Sequence, residues 1–315
     1  MKLSEISKWM ESAGMPGEDR HDIPSSERRF PDGSWYRYEL SAIEHADVLE
    51  AAVDEAERRK TVISRVNAFF QGGILYDAGE IRAYSQIAAE NGIEVLACPG
   101  PRLWWDVGRQ NVTSEGGRCG VYSRGSNEVR KVVADIMRLY ENGMRGFLLV
   151  DDGLLDLLHT MQEQGNFPRD VTLKVSASSS PNHGYAVRLM EKLGASSVNP
   201  GGDLTLPIMA GLRQSTSLPL DIFLLTPLSL GGINRFYDAP EIARIASPVY
   251  FRIDPAPELT YGFNQPWASD AQYIQLARKK VKYAQIIDEL ISENDAKIKG
   301  PVKFASDLNI PVRDK

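Results

Sequence analysis

Short apolar runs that alternate with longer amphipathic segments set the pattern of this chain from residue 35 onward. The short runs are rich in β-branched and aromatic residues and predict eight strands, at 35–40, 62–67, 93–98, 146–151, 171–176, 196–199, 220–225 and 249–254. Between them, segments such as NEVRKVVADIMRLYENG repeat apolar residues at helical spacing, and several end at a glycine, as helices commonly do. Eight strands, each followed by a helix, predict a (β/α)8 TIM barrel.

An open, doubly wound sheet is the alternative architecture, but no glycine-rich dinucleotide-binding turn follows the first predicted strand. Residues 1–34 combine a short amphipathic helix, SEISKWMESAG, with a charged run of turn formers, which predicts an N-terminal arm. Residues 35–295 form the predicted barrel. Residues 296–315 are polar and predict a C-terminal tail that packs on the barrel.

Composition narrows the class of protein. Of 315 residues, 43% are apolar and 25% charged, which is typical of a globular protein with a large core. The net charge of −6 argues against nucleic-acid binding. No apolar run approaches the roughly 18 residues of a membrane span, and the N-terminus lacks the apolar stretch of a signal peptide. Two cysteines cannot build a disulfide scaffold or a four-thiolate metal site. We therefore expect a cytoplasmic protein without membrane or nucleic-acid partners.

The second half of the chain carries a family resemblance. The stretch LGASSVNPGGDLTLPIMAGLRQSTSLPLDIFLL and the opening MPGEDRHDIPSSERRFPDGSWYRYEL resemble peptidase-like barrel proteins related to peptidase family thirty-two, the collagenase-like peptidases of unknown catalytic type. The resemblance spans most of the chain and implies a TIM barrel with hydrolase-like ancestry. In the named peptidases a His-Gly motif leads into clustered cysteines, whereas His183-Gly184 is followed by no such cluster. The resemblance therefore implies ancestry rather than proteolysis or a metal cofactor.

The alternation of side chains along each strand predicts which residues face the barrel axis. In VTLKVS the apolar Val171, Leu173 and Val175 face the helices, so Lys174 points inward. The same rule, applied to the other strands, predicts a polar inward set near the C-terminal strand ends: Arg37, Glu39, Arg65, Asn67, Asp151, Lys174, Ser176, Asn199, Arg252 and Asp254. Barrel enzymes place their chemistry at that face. Internal salt bridges are the alternative interpretation, because an unpaired buried charge is costly.

These residue types indicate acid–base or amine chemistry on a small molecule. Lys174 could form a Schiff base or hold a carboxylate, and Glu39, Asp151 and Asp254 are candidate general acid–base groups. Arginine forks suit carboxylates. The predicted substrate-binding residues are Arg37, Arg65, Asn67, Arg102, Ser176, His183, Asn199 and Arg252. The residues Trp104 and Trp105 form either a lid or part of the core. The sequence requires no cofactor, and a divalent metal at Asp151, Asp152 and Glu39 stays an open alternative that the ligand spacing supports only weakly.

The favoured hypothesis is an enzyme that acts on a small polar molecule, anionic and carboxylate-bearing, in a pocket at the C-terminal strand ends. Two alternatives stay open: a Schiff-base lyase or aldolase that uses Lys174, and a binding or accessory subunit whose inward charges only pair with one another. The substrate and the oligomeric state, including a homo-oligomer, are left open by the sequence.

Overall fold

Eight parallel strands close into one barrel in chain order, and the last strand pairs with the first. The structure, a computed structural model, describes residues 3–19, 22–70, 72–100, 122–226, 231–254 and 270–312. The strands are β1 (Tyr36–Leu40), β2 (Arg65–Ala68), β3 (Glu94–Ala97), β4 (Gly146–Leu149), β5 (Thr172–Val175), β6 (Ser197–Val198), β7 (Leu220–Leu225) and β8 (Val249–Ile253). The (β/α)8 fold predicted from the sequence is confirmed.

Helices surround the barrel. Within the described residues they are α1 (Leu3–Ser12), α2 (Ala46–Arg59), α3 (Ala78–Asn91), α4 (Gly125–Glu141), α5 (Asp152–Glu163), α6 (Gly184–Lys192), α7 (Leu206–Ser215), α8 (Ala239–Ala246) and α9 (Asp270–Asn294). Helix α3 shows how the sequence sets the bounds: Asp77 and Glu80 form a reciprocal capping box, and Gly92 ends the helix in the left-handed conformation. None of the described helices is both long enough and apolar enough to cross a membrane.

The strands obey the predicted alternation. On β8, Val249, Phe251 and Ile253 are fully buried against the helix layer, as the apolar core requires. The intervening residues then face the barrel axis. The predicted strand bounds agree to within one or two residues, except that β2 begins at Arg65 rather than at residue 62.

The N-terminal end of the barrel is closed by segments from both chain ends. Arg37, the second residue of β1, makes a two-pronged ion pair with Asp307 of the tail, at 2.7 and 2.9 Å, and a further pair with Asp32 of the arm at 2.9 Å. Its guanidinium carbon lies 4.0 Å from the centre of the Phe30 ring. The side chain is fully buried, so Arg37 is bound to carboxylates at the end of the barrel opposite to the C-terminal strand ends. The structure thus places Arg37 at the opposite end of the barrel from the pocket in which the sequence pattern predicts it.

We expect Arg37→Met to destabilise the protein by about 2–4 kcal/mol, because it leaves two partly buried carboxylates without their cation. A shift in the urea-unfolding midpoint measures the loss. Arg58→Met is the matched control, since Arg58 pairs with Glu55 while its side chain is 62% exposed, and its loss should cost less than about 1 kcal/mol. Equal destabilisation by the two variants would contradict a structural role for Arg37.

Candidate functional site

Ion pairs centred on Glu39 fill the barrel axis. In the strand register Glu39 lies opposite Arg65 on β2 and Arg252 on β8. Its Oε1 accepts hydrogen bonds from Lys174 Nζ at 2.5 Å and from Arg252 Nη1 at 3.1 Å, and its Oε2 is 3.5 Å from Arg65 Nη1. All four side chains are buried. Three strands thus each bring a cation to one carboxylate.

Two further carboxylates balance these cations. Asp221 on β7 lies 3.4 Å from Lys174 Nζ and 3.3 Å from Arg65 Nη1. Arg65 Nε donates to Glu94 on β3, and its guanidinium carbon lies 3.6 Å from the centre of the Tyr250 ring. We call this set the axial network: Glu39, Arg65, Glu94, Lys174, Asp221 and Arg252. Each of the three cations has at least one carboxylate partner within the axial network, so the buried charges are paired with one another.

Burial and the neighbouring charges together set the pKa values of the axial network. It lowers the pKa of Lys174, and the neighbouring Arg252 and Arg65 lower it further, against the attraction of Asp221 and Glu39. Burial also raises the pKa of Asp221 to about 6, with a contribution from the Glu39 charge. At Glu39, burial is outweighed by Lys174, Arg252 and Arg65, so its pKa is lowered. Glu39 therefore stays ionised, while Asp221 titrates close to neutral pH.

A second layer of polar groups lies at the C-terminal strand ends. Leu40 on β1 pairs with Val66 on β2 and Ile253 on β8, so the next residues on the three strands, Ser41, Asn67 and Asp254, are neighbours. The Ser41 hydroxyl donates to Asp254 Oδ1. We call this set, together with the residues that link it to the axis, the mouth cluster: Ser41, Asn67, Asn199, Arg252 and Asp254.

Arg252 joins the mouth cluster to the axial network. Its Nε donates to Asp254 Oδ1 at 2.7 Å, and its Nη1 donates to Asn199 Oδ1 at 3.1 Å as well as to Glu39. Asn199 in turn donates from Nδ2 to the Asp221 carbonyl at 2.6 Å. The sequence-based placement of Asn199, Arg252 and Asp254 on one inward face agrees with these contacts.

Three polar atoms of the mouth cluster have no hydrogen-bond partner in the described part of the chain. They are both amide atoms of Asn67, Oδ1 and Nδ2, and Oδ2 of Asp254. Both side chains are fully buried. A buried polar atom without a partner costs about 1–3 kcal/mol. Such atoms in a native structure indicate a site for a strain-bearing contact, a water molecule or a ligand.

A lysine from the helix layer borders the mouth cluster. Lys280 on α9 is fully buried, and its Nζ donates to the Ser41 carbonyl. Burial lowers the pKa of Lys280 to about 7, against the attraction of Asp254 and Glu44 and with a smaller contribution from Arg252 in the same direction as burial. The amine is therefore close to half-protonated at neutral pH.

Other predicted site residues lie apart from these two sets. Asp151 caps α5: its Oδ1 accepts from the Leu154 amide at 3.1 Å, and its Oδ2 accepts from the Ser123 amide at 3.0 Å. Ser176 caps a short 3₁₀ turn, with its hydroxyl oxygen accepting from the Ser178 amide. His183 is exposed and caps α6. Each of these three side chains accepts a hydrogen bond from a backbone amide at the start of a helical segment.

Some predictions fall outside the described residues. Arg102, Trp104 and Trp105 all belong to residues 101–121, so the predicted arginine contact and the choice between lid and core stay predictions. Within the described ranges, no group of three or more His, Cys, Asp or Glu side chains is placed to hold a metal ion.

Three charged residues of the site were missed from the sequence. Asp221 in LDIFLL and Glu94 in IEVLAC follow the same alternation rule that identified Lys174, and applying that rule to every strand would have found them. Lys280 carries another signal, because it occupies a position on the apolar face of α9, between the buried Ala277 and Ala284. A lysine on that face has to be buried or to reach a polar group.

Comparison with known proteins finds distant structural likenesses and no sequence family. No protein-family model and no curated protein matches the sequence. Among solved structures, the U32 peptidase Mk0906 is 14% identical, with 74% of this chain and 97% of that chain covered and a TM-score of 0.43. The putative copper homeostasis protein CutC from Streptococcus agalactiae is 14% identical, with coverages of 69% and 97% and a TM-score of 0.46.

A truncated 3-deoxy-D-arabino-heptulosonate 7-phosphate synthase from Thermotoga maritima is 8% identical, with coverages of 84% and 90% and a TM-score of 0.47. Likeness at these identities concerns the barrel alone. The likeness to the U32 peptidase is a distant one and does not place this chain in that family.

Proposed function

We propose that this chain is an enzyme that acts on a small polar molecule bound over the mouth cluster, with Asp254 as the group that exchanges a proton with the substrate. The observation that carries the proposal is the trio of buried atoms at Asn67 and Asp254 that have no hydrogen-bond partner among the described residues. A substrate that hydrogen-bonds to these atoms would make contacts that none of the described residues makes.

The chemistry of these atoms describes the substrate. Asp254 Oδ2 accepts a hydrogen, so it suits a hydroxyl, an amine or a bound water that is to be deprotonated. Asn67 offers one donor and one acceptor, which suits an amide, a carboxylic acid or an alcohol. Arg252 and Ser41 both hold Oδ1 of Asp254, which leaves Oδ2 as the oxygen oriented for reaction.

The contacts also bear on the predicted negative charge of the substrate. Arg65, Lys174 and Arg252 each have carboxylate partners, so an anion is not needed to neutralise them. We therefore propose recognition through the mouth-cluster hydrogen bonds, and a carboxylate on the substrate stays a prediction that a ligand panel tests.

A Schiff-base reaction at Lys174 is the second candidate, and the lowered pKa of this amine favours it. The amine is nevertheless fully buried and hydrogen-bonded to Glu39 at 2.5 Å. Incubation with a panel of keto acids and borohydride, followed by peptide mass analysis, tests it. Absence of an adduct on Lys174 would rule this reaction out.

A thermal-shift screen with matched variants tests the main proposal. We expect at least one small polar metabolite to raise the melting temperature of the wild type, and both Asn67→Leu and Asp254→Asn to abolish that shift. Asn67→Leu should also leave the free protein about as stable as the wild type, because leucine has the same number and branching of side-chain heavy atoms as asparagine and no polar atoms that need partners.

Asn142→Leu is the control for this screen. Asn142 lies on the outside of the barrel, where its Oδ1 accepts from Arg82 and its Nδ2 donates to the Arg138 carbonyl. Its replacement should lower stability but keep the ligand shift. A shift that survives in Asn67→Leu and Asp254→Asn, or a wild type that responds to no compound, would overturn the proposal and favour a structural role for the inward charges.

A further inference from the structure

A charge on Lys280 is costly in free energy because its side chain is buried. Its side chain leaves the apolar face of α9, is fully buried, and ends at the carbonyl oxygen of Ser41. No carboxylate lies within 4 Å of its Nζ in the described part of the chain, whereas Lys174 has Glu39 at 2.5 Å. Lys280 is thus a buried amine that pairs directly with no carboxylate of the described ranges.

Ser41 connects Lys280 to the mouth cluster. The Ser41 carbonyl accepts from Lys280 Nζ, and the hydroxyl of the same residue donates to Asp254 Oδ1. One residue therefore separates the amine from the Asp254 carboxylate, whose Oδ2 accepts no hydrogen bond from the part of the chain that the structure describes. In a buried setting, a change of charge at this range is weakly screened and acts on Asp254 both through space and through the serine.

The charged groups that face Lys280 come from two sides. Glu44 lies in the loop after β1, and Asp254 and Arg252 lie at the end of β8. The two carboxylates attract a proton to the amine, whereas Arg252 and burial oppose it. The balance leaves the pKa of Lys280 lowered to about 7, chiefly by burial.

We infer that Lys280 is a positioning residue for Asp254. Gain or loss of a proton at the Lys280 amine is transmitted through Ser41 and sets how strongly Asp254 Oδ2 accepts a hydrogen bond. When the amine is charged, its electric field stabilises the negative charge of the Asp254 carboxylate and makes Oδ2 a weaker hydrogen-bond acceptor. With the amine neutral, that field is gone and Oδ2 becomes the stronger acceptor. This inference deepens the proposed function, since it rests on substrate binding beside Asp254 and predicts that binding strengthens as the pH rises through neutrality.

A proton titration followed by carbon NMR tests the coupling without any ligand. Protein labelled with ¹³C at lysine Cε and aspartate Cγ is titrated from pH 5.5 to 9, with Lys280 and Asp254 identified by their absence in Lys280→Met and Asp254→Asn. We expect the Lys280 signal to titrate with a midpoint near 7, and the Asp254 signal to show a step at the same midpoint.

Variants separate this coupling from titration by other groups, such as Asp221. Lys280→Met should remove the step and hold the Asp254 signal at its high-pH position, and Lys280→Arg should hold it at its low-pH position. Lys303→Met is the control, since Lys303 lies on the surface beside Glu57 and its loss should leave the step unchanged. If either Lys280 variant fails to fold, the other still decides.

The outcomes distinguish this inference from the proposed function. A step in the Asp254 signal that persists in Lys280→Met, or no step at all in the wild type, would overturn the coupling whatever the ligand screen finds. A step that depends on Lys280, together with a screen in which no compound binds, would leave the coupling in place and refute the enzymatic proposal.

Discussion

Replacing Glu39 with glutamine will destabilise the protein by about 3–5 kcal/mol, the typical cost of removing one partner from a buried ion pair. Glutamine keeps the size of the side chain but removes the charge shared by Lys174, Arg65 and Arg252. Asp221 alone then faces both Lys174 and Arg65. The midpoint of denaturant unfolding, with an unchanged slope, measures the loss.

Two further variants make the Glu39 result specific. Glu241→Gln removes a surface carboxylate from an ion pair with Arg244, where both side chains are partly exposed, and should cost less than about 1 kcal/mol. The double variant Glu39→Gln with Lys174→Met removes one charge of each sign and should recover part of the lost stability. If Glu39→Gln is no more destabilising than Glu241→Gln, the axial network is not what stabilises the barrel interior.

Lys280→Met will stabilise the protein, by about 3–4 kcal/mol at pH 6, and the gain will shrink by roughly 2–3 kcal/mol between pH 6 and pH 9. Burial lowers the pKa of Lys280 from 10.5 to about 7, so the unfolded chain binds this proton more tightly than the folded one. Between those two values the unfolded state holds more protons, and the stability of the wild type therefore rises with pH. Methionine has no proton to bind, so the advantage of the variant is greatest at and below pH 7. Urea unfolding at four pH values measures it.

Lys303→Met is the matched control for this experiment, since the Lys303 side chain is 48% exposed. Its stability difference from the wild type should stay small and constant over the same range. Two results would contradict this prediction: a Lys280→Met variant that is less stable than the wild type at pH 6, or a stability difference that grows with pH. Either would show that burial of the Lys280 amine does not destabilise the protein.

The barrel and its inward face could be predicted because strand alternation is a local property. The run VYFRID specifies by itself that Val249, Phe251 and Ile253 face one way and Arg252 and Asp254 the other. Closure of the barrel then brings Glu39, Arg65, Lys174 and Arg252 to one axis, and the structure finds them in contact. Local pattern and known topology were enough for this part.

Contacts that depend on distant segments could not be predicted. Arg37 has the same inward direction as Glu39, but its partners Asp32 and Asp307 come from the arm and the tail, whose course has no periodic signal. Asp151 lies at the end of a strand, as a catalytic carboxylate would, but its side chain caps the N-terminus of the helix that follows. A cap and a catalytic group have the same sequence signature at the end of a barrel strand, and only the positions of the neighbouring amides separate them.

The axial network also has a consequence for how the barrel assembles. Its six side chains come from β1, β2, β3, β5, β7 and β8, so its ion pairs join strands from the first and the second half of the barrel. Glu39, Arg65 and Glu94 come from the first four strands, whereas Lys174, Asp221 and Arg252, with its partner Asp254, come from the last four strands and their ends. Separating the two halves would break the ion pairs of Glu39 with Lys174 and Arg252 and of Arg65 with Asp221. Because breaking buried ion pairs is costly, folding is expected to proceed as one cooperative closure rather than by the docking of two independently stable half-barrels.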